Sequence, residues 1–185
     1  MVAQRFAQLV SLACHDLRTP LATVNGFAKT LTRAGTLGER EARFVGLITA
    51  AAEQTASLLD LLALAARIES GRYEPVLASA DTLELATSAD ERIATDGDGE
   101  TIETDVTAVR GSLESLARCA AVHGGLTHVA WRVDGRRLSL SPLGDSAEVV
   151  MGESPRDLGA LVARLAIEHL GGTLALDGDS LLVVF

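Results

Sequence analysis

One heptapeptide, His15-Asp16-Leu17-Arg18-Thr19-Pro20-Leu21, sets a nucleophilic ring, a carboxylate and a hydroxyl close together along the chain. Asp16 can hydrogen-bond one nitrogen of the neighbouring imidazole and leave the other nitrogen nucleophilic. Thr19 follows His15 by four residues, so on a helix the two share a face. Pro20 has a cost: inside a helix it removes one backbone hydrogen bond and presses on the carbonyl of Asp16, at about 3 kcal/mol. A bend beside the histidine is therefore expected. An exposed imidazole held in this way can accept a phosphoryl group.

Other chemistry-bearing residues give weaker signals. His123, His128 and His169 read as helix-end or surface histidines, and Cys14 and Cys119 as small core fillers. Asp96-Gly97-Asp98-Gly99-Glu100 is too short and too poor in ligands for a calcium loop, and reads as a solvated turn. Lys29 is the only lysine. No set of metal ligands and no cofactor-binding residue is expected from these spacings.

The elements that must position His15 follow from periodicity. Leu9, Ala13, Leu17, Leu21, Val24, Phe27 and Leu31 recur every three or four residues, the pattern of one long amphipathic helix, which Gly35 to Gly38 breaks. From Glu39 onward Phe44, Ile48, Ala51, Thr55, Leu58, Leu62 and Ala65 form a heptad seam, widened by Leu47, Leu59, Leu61, Leu64 and Ile68 until Gly71. Two such helices make an antiparallel hairpin over residues 1–70. Its apolar face is too wide for the segment to cover alone, so a homodimeric four-helix bundle is expected.

Residues 72–185 change character. Nine basic and nineteen acidic side chains follow Ser70, against seven and six before it. The segment predicts a strand at Tyr73 to Leu77, a helix near Thr82 to Arg92, a loop at Asp96 to Gly99 and a helix from Asp105 to Val122. Strands from Leu126 to Val133 and Arg137 to Ser141 turn through Asp134-Gly135, a dipeptide suited to hairpins. A helix from Pro155 to Leu170 ends at Gly171-Gly172, and a last hairpin, Thr173 to Leu176 with Leu181 to Phe185, turns at Asp177-Gly178. The fold class is thus α+β, a helical hairpin followed by a small two-layer α/β sandwich.

The 185 residues are 48% hydrophobic and 22% charged, enough for a buried core, and the net charge of -9 disfavours nucleic acid as a partner. Two distant cysteines require no oxidising compartment, and no uncharged apolar run approaches the roughly 20 residues that cross a bilayer. A cytoplasmic chain that is not a membrane partner is expected.

The heptapeptide resembles the H-box of histidine kinases, and with its hairpin the resemblance covers residues 1–70 as a dimerisation and histidine-phosphotransfer domain. It implies that His15 is the phosphorylated residue, Asp16 its acidic helper and Thr19 the residue that orients water when a response regulator is dephosphorylated. Residues 72–185 resemble the kinase ATP-binding domain in order of elements only. Cys119 stands where that domain carries a magnesium-holding asparagine, and Asn25, in the first helix, is the only asparagine in the chain. Pro142-Leu143-Gly144 replaces the aspartate that reads adenine, with Asp145 displaced, and proline offers no side-chain oxygen. Asp157-Leu158-Gly159-Ala160 stands where a glycine-rich phosphate loop is expected, and Asp157 favours the helix but repels a triphosphate.

These readings lead to one expectation: a homodimeric histidine phosphotransferase, similar to a histidine kinase core whose ATP site has decayed, relaying phosphate between response-regulator receiver domains through His15. It needs no cofactor of its own, with magnesium expected from the receiver. A non-catalytic adaptor or response-regulator phosphatase that depends on Thr19 is the alternative, and a residual kinase a more distant one.

Overall fold

The computed structural model describes residues 2–35 and 37–185, side chains at positions 2–5 and 8 excepted. The chain divides into two compact units, Met1–Arg72 and Tyr73–Phe185.

The first unit is a hairpin of α1 (Val2–Ala34) and α2 (Glu39–Glu69). Between them Gly35 adopts a left-handed conformation, as a glycine can, while Thr36 lies outside the described residues. Ion pairs Arg18–Asp60 and Lys29–Glu53 join the helices in antiparallel register. Being exposed, these pairs set the register more than they stabilise the fold. Small residues make up most of the buried seam, Ala7, Cys14 and Ala28 on α1 and Ala52, Ala63 and Ala66 on α2, with Val45 and Leu59 among them. Cys14 packs with Leu59 and Ala63, flanked by Val10, Leu21 and Leu62. α2 ends where Gly71 turns left-handed and Arg72 donates its backbone N–H to the Arg67 carbonyl, which satisfies an end-of-helix acceptor.

The expected apolar stripes therefore divide. Leu21 and Leu62 pack inward, whereas Leu9, Leu17, Val24, Phe27 and Leu31 of α1 and Phe44, Ile48 and Leu58 of α2 stay exposed in the single chain. Large side chains are left outside because the small ones let the two backbones approach. By length and composition α2 could span a membrane, with a mean hydropathy of 1.3 over its most apolar stretch. Only 17% of that stretch is buried, and Glu53 and Asp60 on α2 are ion-paired with α1.

The second unit is a two-layer sandwich. Its five-stranded sheet has the order β2 (Ile93–Gly99), β4 (Val129–Gly135), β5 (Arg137–Ser141), β7 (Ser180–Val184) and β6 (Thr173–Asp177). Only β2 and β4 are parallel. A separate ribbon pairs β1 (Leu77–Asp81) with β3 (Thr101–Asp105). Helices α3 (Thr82–Ala86), α4 (Val106–His123), α5 (Ala147–Val150) and α6 (Leu158–His169) complete the unit. Alternate residues of β4, Val129, Trp131 and Val133, are buried with Leu138, Leu140, Leu181 and Val183 against Leu113, Leu116 and Ile167 of the helices. Each large apolar side chain so buried is worth about 1.5–3 kcal/mol.

Several expected elements shift. The first strand begins at Leu77 rather than Tyr73, because Pro75 has no N–H and the N–H of Val76 is taken by the Asp105 carboxylate. The helix expected to reach Arg92 stops at Ala86, where Ser88 and Asp90 side chains bond nearby backbone N–H groups and compete with helix. The expected loop Asp96 to Gly99 is the end of β2, an edge strand whose polar residues face solvent. Gly97 is required there, since a Cβ would collide with the carbonyl of Val133. Strand β3 carries no signal that marked it in advance. The last long helix starts at Leu158 rather than Pro155, capped by Asp157.

Asp105 ties the ribbon to α4. It caps α4 by accepting the Ala108 N–H at 3.0 Å, and its other oxygen accepts the Tyr73 hydroxyl at 2.8 Å and the Val76 N–H at 3.2 Å. Burial alone would raise its pKa, but these bonds to the charged form outweigh it and hold the carboxyl below its ordinary value. Asp105→Ala should cost about 2–4 kcal/mol at pH 7 through the lost cap and the lost bonds from the Tyr73 hydroxyl and the Val76 N–H. The lowered pKa means this stabilisation is complete above the unfolded value of about 3.9 and is lost as pH falls through the folded one. Urea unfolding of both proteins should show a gap that narrows below pH 4; equal midpoints at pH 7 would refute the role.

Candidate functional site

His15 is placed by its neighbour. Cys14 is drawn into the hairpin seam, and a step of about 100° per residue then turns His15 and Asp16 outward. The His15 side chain is 78% exposed, with Nδ1 3.1 Å from Oδ1 of Asp16. With the Nδ1 proton donated to that carboxylate, Nε2 keeps its lone pair and faces solvent. α1 runs through Pro20 without ending, although Pro20 has no N–H to give the Asp16 carbonyl. Thr19 is exposed one turn beyond His15, and its carbonyl accepts the Thr23 hydroxyl at 3.1 Å. Arg18 is committed elsewhere: its Nη2 and Nε donate to Asp60 at 2.6 and 3.1 Å. The structure thus brings His15, Asp16 and Thr19 to one open region of α1, with chemistry limited to that of an accessible nucleophile.

The positions that the kinase resemblance assigns to nucleotide contacts carry other groups here. Cys119 is buried on α4, and burial, with the charge of Asp157 adding, pushes its thiol up to about 12. With no metal bound it is a neutral thiol and a poor nucleophile. Pro142 is followed by Leu143, fully buried, and the backbone N–H groups of Leu143 and Gly144 both donate to Oδ1 of Asp179, at 3.1 and 2.9 Å. Asp145 is exposed. A short 3₁₀ turn, Gly144–Ser146, leads straight into α5, and Val149, Val150 and Met151 join the core. Asp157 caps α6 by accepting the Ala160 N–H at 2.9 Å, as its position predicts.

One grouping escaped the sequence reading. Cys119 and His123, which the sequence presents as a core filler and an ordinary helix-end histidine, lie beside Asp157, and His123 Nε2 is 3.3 Å from Asp157 Oδ2. The available signal was the four-residue spacing of Cys119 and His123 on one helix face. Asp157, distant in sequence, could be added only by the packing of α6 on α4. His128 is exposed, with Nδ1 3.2 Å from the Thr127 hydroxyl, and the His169 ring lies 5.5 Å from that of Tyr73.

Comparison with known proteins agrees with this architecture. Residues 7–71 match the His Kinase A (phospho-acceptor) domain. The sensor protein DivL of Caulobacter vibrioides is 33% identical over 110 residues, covering 56% of this chain and 14% of DivL. The probable sensor histidine kinase TcrY of Mycobacterium tuberculosis is 37% identical over 65 residues, covering 35% of this chain and 14% of TcrY. The chain thus spans about a seventh of each of these relatives. Among solved structures, full-length ShkA in complex with AMPPNP aligns with a TM-score of 0.66 at 19% identity, covering 95% of this chain and 44% of that one. The histidine kinase AdeS of Acinetobacter baumannii aligns with a TM-score of 0.54 at 16% identity, covering 91% of this chain and 94% of that one. A phospho-acceptor hairpin followed by a reduced sandwich of the kinase ATPase type is the fold of a histidine-kinase core.

Titration calorimetry with ATP and magnesium should give no binding heat. Loss of the contacts that the kinase resemblance would place at Cys119, Pro142 and Asp157 removes about 1–3 kcal/mol each, and about 2 kcal/mol apiece exceeds the roughly 4 kcal/mol that separates a micromolar from a millimolar site. Saturable binding below about 1 mM would overturn this prediction.

Proposed function

We propose that this histidine-kinase-type core is a histidine phosphotransferase of a two-component phosphorelay, moving a phosphoryl group between receiver-domain aspartates through His15 without using ATP. The carrying observation is the contrast between an exposed imidazole oriented by Asp16 and a sandwich with Leu143, Val149, Val150 and Met151 in its core. Magnesium comes with the receiver, where it offsets phosphoryl charge.

In the forward step Nε2 of His15 attacks the phosphorus of a receiver aspartyl phosphate. The N–P bond forms as the P–O bond to the aspartate breaks, and the carboxylate leaves with the electron pair. Asp16 stabilises the cationic ring through Nδ1–H, which makes the phosphohistidine a competent donor for the reverse step onto a second receiver. The chain contributes a nucleophile and a docking surface, and the missing asparagine at Cys119 then has no consequence for transfer.

A homodimer completes the reading. The outer stripe with Val24, Phe27 and Leu31 on α1 and Phe44, Ile48 and Leu58 on α2 is more apolar surface than a free hairpin leaves in water, and a second copy buries it as a four-helix bundle. Leu58→Glu combined with Phe27→Glu should convert the dimer to monomer in light scattering at micromolar concentration. A wild-type monomer under the same conditions would contradict the bundle.

Transfer is tested with phosphorylated receivers. The wild type should take label, and His15→Ala should reduce it to background; equal labelling of the two proteins sinks the proposal. Thr19, exposed one turn from His15, supports a second reading as a regulator phosphatase. Loss of receiver dephosphorylation in Thr19→Ala, with no phosphohistidine in the wild type, would favour it.

A further inference from the structure

The junction of α4 and α6 gathers three different ligand atoms. Cys119 and His123 lie one turn apart on α4, and Asp157 reaches them from the start of α6. The Cys119 sulfur, a ring nitrogen of His123 and a carboxylate oxygen of Asp157 all lie within 4.8 Å of one another. The 3.3 Å between His123 Nε2 and Asp157 Oδ2 is long for a charge-assisted hydrogen bond, which runs about 2.7–2.9 Å. It is close to the roughly 3.3 Å that separates two ligands each about 2.0–2.1 Å from a tetrahedral ion.

The surroundings hold these atoms in place. Oδ1 of Asp157 is fixed by the Ala160 N–H, which leaves Oδ2 directed at His123. Gly159 lets α6 come close to α4, since a Cβ there would stand 3.2 Å from Cβ of Ser115. Cys119 forms a buried floor, while His123 and Asp157 are about a quarter exposed and open the cluster to solvent.

We propose that Cys119, His123 and Asp157 form a binding site for a divalent cation of the zinc class, with water in the fourth position. The donor set selects the metal: sulfur and imidazole suit zinc, whereas magnesium and calcium take oxygen. On binding, the hydrated ion exchanges bound waters for the sulfur, a ring nitrogen and a carboxylate oxygen, keeping one water, and the thiol proton passes to solvent. Thiolate and carboxylate then balance the two positive charges. The ion clamps the end of α4 to the start of α6, at the place where the kinase resemblance puts the asparagine. The site is independent of phosphoryl transfer at His15, so either can fail alone.

The full chain, stripped with chelator, is titrated with Co²⁺ and then with Zn²⁺. The expected result is an equimolar end point with a thiolate-to-cobalt charge-transfer band, displaced by Zn²⁺. Cys14→Ser should keep the band and Cys119→Ser should remove it. Because Cys119 is buried, His123→Gln at the rim is the second variant. It should weaken Zn²⁺ binding by more than about tenfold while keeping the wild-type circular dichroism. A wild type without the band, a band that survives Cys119→Ser, or His123→Gln that binds Zn²⁺ as tightly as wild type would each overturn the site.

Discussion

The seam of small residues between α1 and α2 decides the rest of the first unit. Ala7, Cys14 and Ala28 facing Ala52, Leu59, Ala63 and Ala66 allow close approach, and close approach fixes how each helix is rotated about its own axis. Once Cys14 points inward, His15 and Asp16 have no direction left except outward. The same rotation leaves Phe27, Phe44 and Leu58 uncovered. An accessible imidazole and an unpartnered apolar stripe are therefore two results of one packing choice.

The second unit is governed by how closely α6 packs on α4. Gly159 permits the approach, Asp157 caps α6 at that point, and Leu143, Val149, Val150 and Met151 join the core while Gly144, Asp145 and Glu148 stay exposed. The sandwich follows the order of elements of the kinase domains it resembles, with aliphatic side chains and one buried thiol in its interior.

Charge follows the same division. Some of the acidic groups after Ser70 act locally, on the caps of α3, α4 and α6 by Asp81, Asp105 and Asp157 and on the turn where Asp90 bonds Arg92. Asp179 holds two backbone N–H groups in the same way. An acidic composition here supports the backbone of a small domain with several short helices.

The sequence by itself determined the features carried by local pattern. The long hairpin, the heptapeptide around His15, the Asp134-Gly135 and Asp177-Gly178 turns and the helix after Asp105 are set by periodicity, glycine and capping, all of which act within a few residues. It did not determine that Asp96 to Gly99 is an edge strand, because polar and glycine residues suit a loop until a parallel partner, β4, is supplied. Nor could it say which apolar stripe of each helix is inner: Leu21 and Leu62 belong to the same heptads as Val24 and Leu58, and only the partner helix distinguishes them. The juxtaposition of Cys119, His123 and Asp157 was likewise left to tertiary structure. Two of its members share a helix face, but the third arrives by packing, and contacts between distant segments depend on how whole elements dock, which no local pattern encodes.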